Sequence, residues 1–178
     1  NIQKYAVYKY PQTRKKAMKA KKVNLKFFPE GGNLVKGVPS QVAFEATDAY
    51  GNPITLFGRI INRRKEEIGH FATIHEGRGV FTYIPTGEDA DKAEVELGGK
   101  KYRFDLPEVC SQGYVLHVDN LTSEDSIAVS VQKNTYTPSN LLGLAVIAHG
   151  KLLNSCLLNV GKNTPVSFKL RRKNVLFR

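Results

Sequence analysis

"FFPEGGNLVKGVPS", residues 27–40, drives two aromatic strand-forming residues straight into Pro-Glu-Gly-Gly and follows them closely with a second turn, Gly37-Val38-Pro39-Ser40. Two readings compete: a phosphate-cradling loop, or a bend between β-strands. The phosphate loop needs Gly-Lys-Ser/Thr at its end and a helix after it. Here Lys36 precedes Gly37, and Val38-Pro39 comes next. The lysine is misplaced, and Pro39 with a strand pattern behind it removes the helix N-terminus that would hold an anion. The bend remains. Pro29 closes one strand, Glu30 enters the turn, Gly31 and Gly32 let the backbone reverse, and Gly37 leads to Pro39, which opens the next strand where its missing N–H costs nothing.

The flanks agree. "VNLKFF" (23–28) alternates Val23, Leu25 and Phe27 on one face, and "QVAFEATD" (41–48) does the same with Val42, Phe44 and Ala46. Period two is the pattern of a half-buried strand. "AYGNPI" (49–54) is a turn: Gly51 and Asn52 tolerate positive φ, and Pro53 blocks a helix. Strand patterns continue at 54–62, 70–76, 80–84, 92–97 and 101–106, separated by Gly- and Pro-containing turns. Seven short strands in this spacing predict an immunoglobulin-like sandwich. A second series follows at 114–120, 126–132, 141–149, 152–160, 165–170 and 174–178. The expected fold is therefore all-β, with two consecutive immunoglobulin-like sandwiches. Residues 1–22 are an N-terminal strand ("IQKYAVYKY", 2–10) and a basic linker, 23–109 the first sandwich and 110–178 the second. Because "NVLFR" (174–178) is still strand-like at the last residue, the second sandwich is expected to be truncated there, with the natural polypeptide running on.

The chain has 178 residues, 41% of them apolar, and no Trp. That supports a core and favours strands over helices. The longest apolar run, Leu141–Ala148, is far short of the roughly 20 residues that span a bilayer. No transmembrane segment and no signal-peptide apolar region are expected. The formal net charge is +11, but nine basic and no acidic residues lie in the first 26 positions. The charge therefore marks a segment. "RKKAMKAKK" (14–22) is read as a solvated linker, with contact to an anionic surface as the alternative. No aromatic platform is interleaved with it, so no specific nucleic acid is expected.

The chemistry-bearing residues are sparse. His70, His75, His117 and His149 show no metal-ligand spacing, and no metal or other cofactor is expected. The acidic pairs Glu66/Glu67 and Asp89/Asp91 are read as carboxylates in polar turns. No nucleophile–base pair stands out, so no catalytic residue is assigned and the protein is expected not to be an enzyme. Phe27, Phe28, Phe44, Phe57, Phe71, Phe81, Tyr83, Tyr102 and Phe104 are read as core. For Cys110 and Cys156 the preferred reading is two buried free thiols, with a single bridge as the alternative.

At residues 23–54 the chain resembles the macroglobulin-like β-sandwich modules of large Bacteroidetes cell-envelope proteins, many of them linked to outer-membrane TonB-dependent systems. Phe27–Gly32, Leu34, Val35, Gly37, Pro39, Ser40 and Val42–Phe44 carry the likeness. "GRGVFTYIPTGE" (77–88) is similar to a second stretch of such modules, and residues 113–153 to the module that follows. The resemblance implies stacked sandwiches without catalytic residues, in the periplasm or at the cell surface, serving a structural or protein-binding role with a protein partner in the envelope. On this reading residues 2–10 would be the last strand of a preceding module. A carbohydrate-binding or adhesin module is the alternative. Macroglobulins that trap proteases use a Gly-Cys-Gly-Glu-Gln thioester. "EVCSQG" around Cys110 and "NSCLLN" around Cys156 do not match it, so covalent trapping is not implied.

Overall fold

The structure, a computed structural model, describes residues 23–87, 91–161 and 164–172. The expected strands at 2–10 and 174–178 and the basic run 14–22 lie outside the described residues. The described chain is all-β, in the order β1 (Val23–Pro29), β2 (Leu34–Val35), β3 (Ser40–Asp48), β4 (Phe57–Ile61), β5 (Glu67–Ala72), β6 (Arg78–Tyr83), β7 (Lys92–Leu97), β8 (Lys100–Asp105), β9 (Val109–Cys110), β10 (Tyr114–Asp119), β11 (Ser126–Lys133), β12 (Leu141–Ala148), β13 (Lys151–Asn159) and β14 (Val166–Arg171). Among the described residues no helix is long and apolar enough to cross a membrane.

Residues 23–105 supply a three-stranded sheet, β1-β3-β6, and a four-stranded sheet, β5-β4-β7-β8. The alternation read from β3 is realised: Val42, Phe44 and Ala46 are buried while Gln41 and Ala43 are exposed. These inward residues meet Leu34, Leu56, Ile60, Phe71, Phe81, Tyr83, Ala93 and Val95 in one apolar core. Phe71 sits at its centre, with ring centroids 4.9 Å from Phe44, 5.3 Å from Phe81 and 6.1 Å from Phe27. Gly58 exists for this ring, because a Cβ there would lie 2.3 Å from Phe71 Cζ.

Residues 114–171 repeat the arrangement less completely, with sheets β10-β11-β14 and β12-β13. Val129 and Val131 are buried, but the inward positions of β12 and β14 are only half-buried. A short parallel pairing, Leu34 with Val109 and Val35 with Cys110, ties the segment after β8 back to the first group just before β10 begins.

Several expectations need correction. Phe28 and Phe57 are not core; they are 52% and 61% exposed, because each falls on the outward phase of its strand. The fourth strand begins at Phe57 rather than 54, since Thr47 and Pro53 form a bridge that holds the preceding residues in the turn. The fifth runs over 67–72, so Glu67 is in a strand, while His75 and Glu76 form the tight turn into β6, with Glu76 at φ 44°. Asp91 is not a loose turn carboxylate. It is buried and accepts a 2.5 Å hydrogen bond from the Tyr83 hydroxyl. Burial, and then this bond, push the Tyr83 phenol above its usual range. Both cysteines are free, as preferred, but neither is buried: Cys110 is intermediate and Cys156 exposed.

The outer face of the four-stranded sheet carries a charge cluster. Glu94, 4% exposed, accepts from Arg59 at 2.6 Å and from Arg103 Nε at 2.9 Å, with Lys101 Nζ 3.7 Å away. The Arg59 and Arg103 hydrogen bonds hold its carboxyl down at about 2. A depressed folded value means that the contribution is complete above the ordinary carboxylate range and is lost as pH falls toward about 2. Replacing Glu94 with Gln is therefore expected to flatten the stability loss across that acid window. Denaturation curves at a series of acidic pH values check this, and an unchanged pH slope would contradict it.

Candidate functional site

The opening motif does more than reverse the chain. β1 pairs antiparallel with β3 through Pro29, which faces Val42. The Glu30 N–H then donates to Gln41 O at 2.8 Å, and the Gly32 N–H to Pro29 O at 3.0 Å, which closes the turn. Gly31 and Gly32 have φ 80° and 94°, in the region that favours glycine. The geometry aims Glu30 at the second strand group. Its Oε2 lies 2.6 Å from His117 Nδ1, and its Oε1 accepts the Val118 N–H at 2.7 Å. Beside it, Gly31 presses against β10: a Cβ there would be 3.2 Å from both Leu116 N and Leu116 O. Glu30 and Gly31 together form a clasp on β10.

The two glycines therefore differ in consequence. Nothing lies within 4 Å of a Cβ built on Gly32. Gly32→Val brings backbone strain alone, whereas Gly31→Val adds a clash with β10. Denaturation should show Gly31→Val more destabilising, by about 1–3 kcal/mol against wild type. Equal losses for the two variants would argue against the close approach.

Behind the clasp lies an apolar cluster of Val35, Val38 and Val115, all buried. Gly37, the other turn glycine (φ 73°), donates to Pro85 O at 2.8 Å, and Val38 N–H to Val35 O at 3.0 Å. Pro39 directly precedes β3, which starts at Ser40. A Cβ on Gly113 would stand 3.1 Å from Val35 Cγ2, so only glycine fits that contact without movement.

The segment after β11 ties the junction. Asn134 Nδ2 donates to Lys36 O at 3.1 Å and to Ser111 O at 2.8 Å, bridging both sides. The Thr137 hydroxyl accepts from Gly113 N–H at 2.8 Å and donates to Asn134 Oδ1 at 2.7 Å. Lys133, 0% exposed, places Nζ within 2.8 Å of Thr137 O, 2.9 Å of Ser139 O and 2.6 Å of Asn140 Oδ1. An ammonium has three N–H donors, and three oxygens receive them. This set pins residues 134–140 and so holds Asn134 in place.

On the outer side the junction borders a groove. Glu30, His117, Val118, Leu121 and Phe28 line a cavity of about 550 Å³. Phe28, Ala43 and Val80 also line an adjoining cavity of about 450 Å³ with Ile74, His75 and Arg78. Phe28, Ile74, Val80 and Leu121 are exposed along it, and the Glu45–Arg78 ion pair (3.2 Å) flanks one end.

The turn residues Gly51, Asn52 and Pro53 lie elsewhere. Asp48 Oδ1 accepts from Tyr50 N–H at 2.8 Å and Asn52 N–H at 2.9 Å, and Gly51 has φ 85°. These bonds depress the Asp48 carboxyl, the Asn52 side chain contributing most. The turn is self-contained and does not join the junction. Sequence reasoning placed Glu30 in the turn but missed its reach to His117, and it missed Lys133, Asn134 and Thr137 altogether. The available signals were the acid held between Pro29 and two glycines, and the Asn/Thr/Ser-rich run "KNTYTPSN" (133–140). Among the described residues no group of His, Cys, Asp and Glu is arranged to hold a metal ion.

Fold and junction together define the class: an all-β chain of successive β-sandwich strand groups in direct contact at the Glu30–His117 junction. No protein-family model and no curated protein matches the sequence. Among solved structures, the chain is similar to an E. coli alpha-2-macroglobulin in its native conformation, at 12% identity and a TM-score of 0.34. That match covers 84% of this chain, which spans 12% of the macroglobulin's length. The fold described above rests on strand order and pairing, independently of this likeness.

Proposed function

We propose that these sandwiches act as a rigid structural and protein-interaction unit within a macroglobulin-like protein of the cell envelope, at the periplasmic or outer surface. The interlocked junction carries this reading. A charged residue, a close-approach glycine and a polar bridge converge on one interface, which is an investment in holding a fixed angle between two bodies. A catalytic centre needs a nucleophile and base in mutual reach; the polar groups at this junction are instead spent on one another. The protein-binding surface is the groove over Phe28, Ala43 and Val80, where apolar side chains lie exposed beside the Glu45–Arg78 ion pair.

A photo-crosslinking residue placed at Val80 in native cells tests this, with Lys100 on the far sheet as control. Discrete protein adducts at Val80 alone are expected. Equal adducts at both sites, or none, would contradict the interaction role. Specific glycan binding by the same face on an array would favour the carbohydrate-binding alternative instead.

A further inference from the structure

Phe57 belongs to neither apolar cluster. It opens β4 on the outward phase, on the outer face of the sheet β5-β4-β7-β8. Its ring stacks on that of His70, with centroids 6.0 Å apart and planes at 26°. The ladder places His70 opposite Arg59, Arg59 opposite Glu94, and Glu94 opposite Arg103. One polar row therefore crosses all four strands, about 14 Å from end to end. The aromatic pair stands at its β5 end.

Glu94 organises this row. Arg59 directs Nε–H and an Nη2–H at Glu94 Oε1, and Arg103 directs Nε–H at Oε2. Each guanidinium has five N–H groups. The others on Arg59 and Arg103 have no partner among the described residues, and both side chains are part-exposed, at 39% and 49%. The carboxylate thus holds two guanidinium groups in place and leaves their outer donors facing solvent. Along the strands the charges of this face balance. Lys101 also approaches Glu94, Lys92 pairs with Asp105, and Glu67 and Glu96 lie close enough to act on Arg59. Arg59, Lys92, Lys101 and Arg103 stand against Glu67, Glu94, Glu96 and Asp105.

We propose that this face is a binding site for an extended, uncharged polysaccharide. A pyranose ring carries C–H groups on its faces and hydroxyls around its rim. The Phe57–His70 pair takes a C–H face. The outer N–H groups of Arg59 and Arg103 donate to hydroxyl oxygens, and the exposed Glu96 accepts from hydroxyls. Balanced charge gives an ionic chain no net attraction, which selects a neutral one. Guanidinium groups already held by Glu94 lose little freedom when the ligand arrives. The Phe28–Val80 groove lies on the other sheet, β1-β3-β6, so this site is separate from the protein-binding surface.

The test is calorimetric titration of the full chain with cellohexaose, β-1,4-mannohexaose and chitohexaose, with heparin as the anionic probe. At least one neutral hexasaccharide should bind, with an affinity that added salt leaves unchanged. Phe57→Ala should weaken it about tenfold through loss of the ring contact, and Phe57→Tyr should retain it. Arg103→Gln should weaken it too, whereas Val80→Ser, in the groove, should not. Phe57 and Arg103 are exposed, so thermal unfolding of these variants should match wild type. Three results would each overturn the proposal. They are no binding of any neutral hexasaccharide at millimolar concentration; binding of heparin alone, lost as salt rises, which means that the face attracts charge only; and neutral-sugar binding that survives Phe57→Ala but not Val80→Ser, which means that the groove is the sugar site.

Discussion

Replacing Phe71 with Ala is expected to cost the first sandwich about 3–5 kcal/mol, the range for removing a buried aromatic ring. Phe71 is 2% exposed, and its ring touches the aromatic neighbours that join both sheets. The site cannot collapse easily. Gly58 on one side offers no side chain to fill the void, and Phe44 is held on its other side by Gly79, where a Cβ would meet Phe44 Cε1 at 2.6 Å. Denaturant unfolding should show the loss in the transition of residues 23–105, with that of residues 114–171 little changed. A loss below 1 kcal/mol, or one shared equally by both groups, would mean that the aromatic cluster is not the keystone of the first core.

Lys133→Met should produce the second large effect. Methionine fills much of the same volume but donates nothing. Thr137 O, Ser139 O and Asn140 Oδ1 then lose their donor, and each buried acceptor left unpaired costs about 1–3 kcal/mol. Ser139 and Asn140 are exposed enough for water to replace part of the loss, whereas Thr137 is buried. The expected total is about 2–4 kcal/mol. Hydrogen exchange should rise at Gly113 and along 134–140, because Asn134 and Thr137 are oriented by the same loop. Stability within experimental error of wild type would show that Lys133 fills space and nothing more.

These residues divide what the sequence displays from what it hides. The strands of the first sheet were legible because one face is buried and the other wet. Along β6, Gly79, Phe81 and Tyr83 are buried while Arg78, Val80 and Thr82 are exposed, and period two is written into the order of residues. Phe28 and Phe57 show the limit of reading by type: an aromatic residue on the outward phase stays outside whatever its hydrophobicity. β12 shows another. An apolar run announces a strand, but whether a neighbour covers it is a property of the sheet, and the run reads the same either way.

The junction was hardest to read, for three physical reasons. The parallel pairing that leads into it is two residues long and joins positions some 75 apart, too short to leave a periodicity. Lys133 belongs to a residue type that is almost never fully buried, and its partners are mostly main-chain oxygens that no side-chain pattern reports. Glu30 sits in a motif whose glycines explain the turn so fully that its carboxylate invites no further account, yet it reaches 87 residues along the chain to His117.

The Pro-Glu-Gly-Gly clasp is expected to fix the two sandwiches at one angle. The most direct measurement is a distance distribution between spin labels by pulsed electron resonance. The labels go on Lys100→Cys and Lys169→Cys, both exposed positions, with Cys110→Ser and Cys156→Ser to remove the native thiols. A single narrow distribution is predicted for the otherwise wild-type chain, broadening when Glu30→Ala and Gly31→Val are added while each sandwich stays folded. A broad distribution in the unaltered junction, or a narrow one that survives both substitutions, would contradict the clasp.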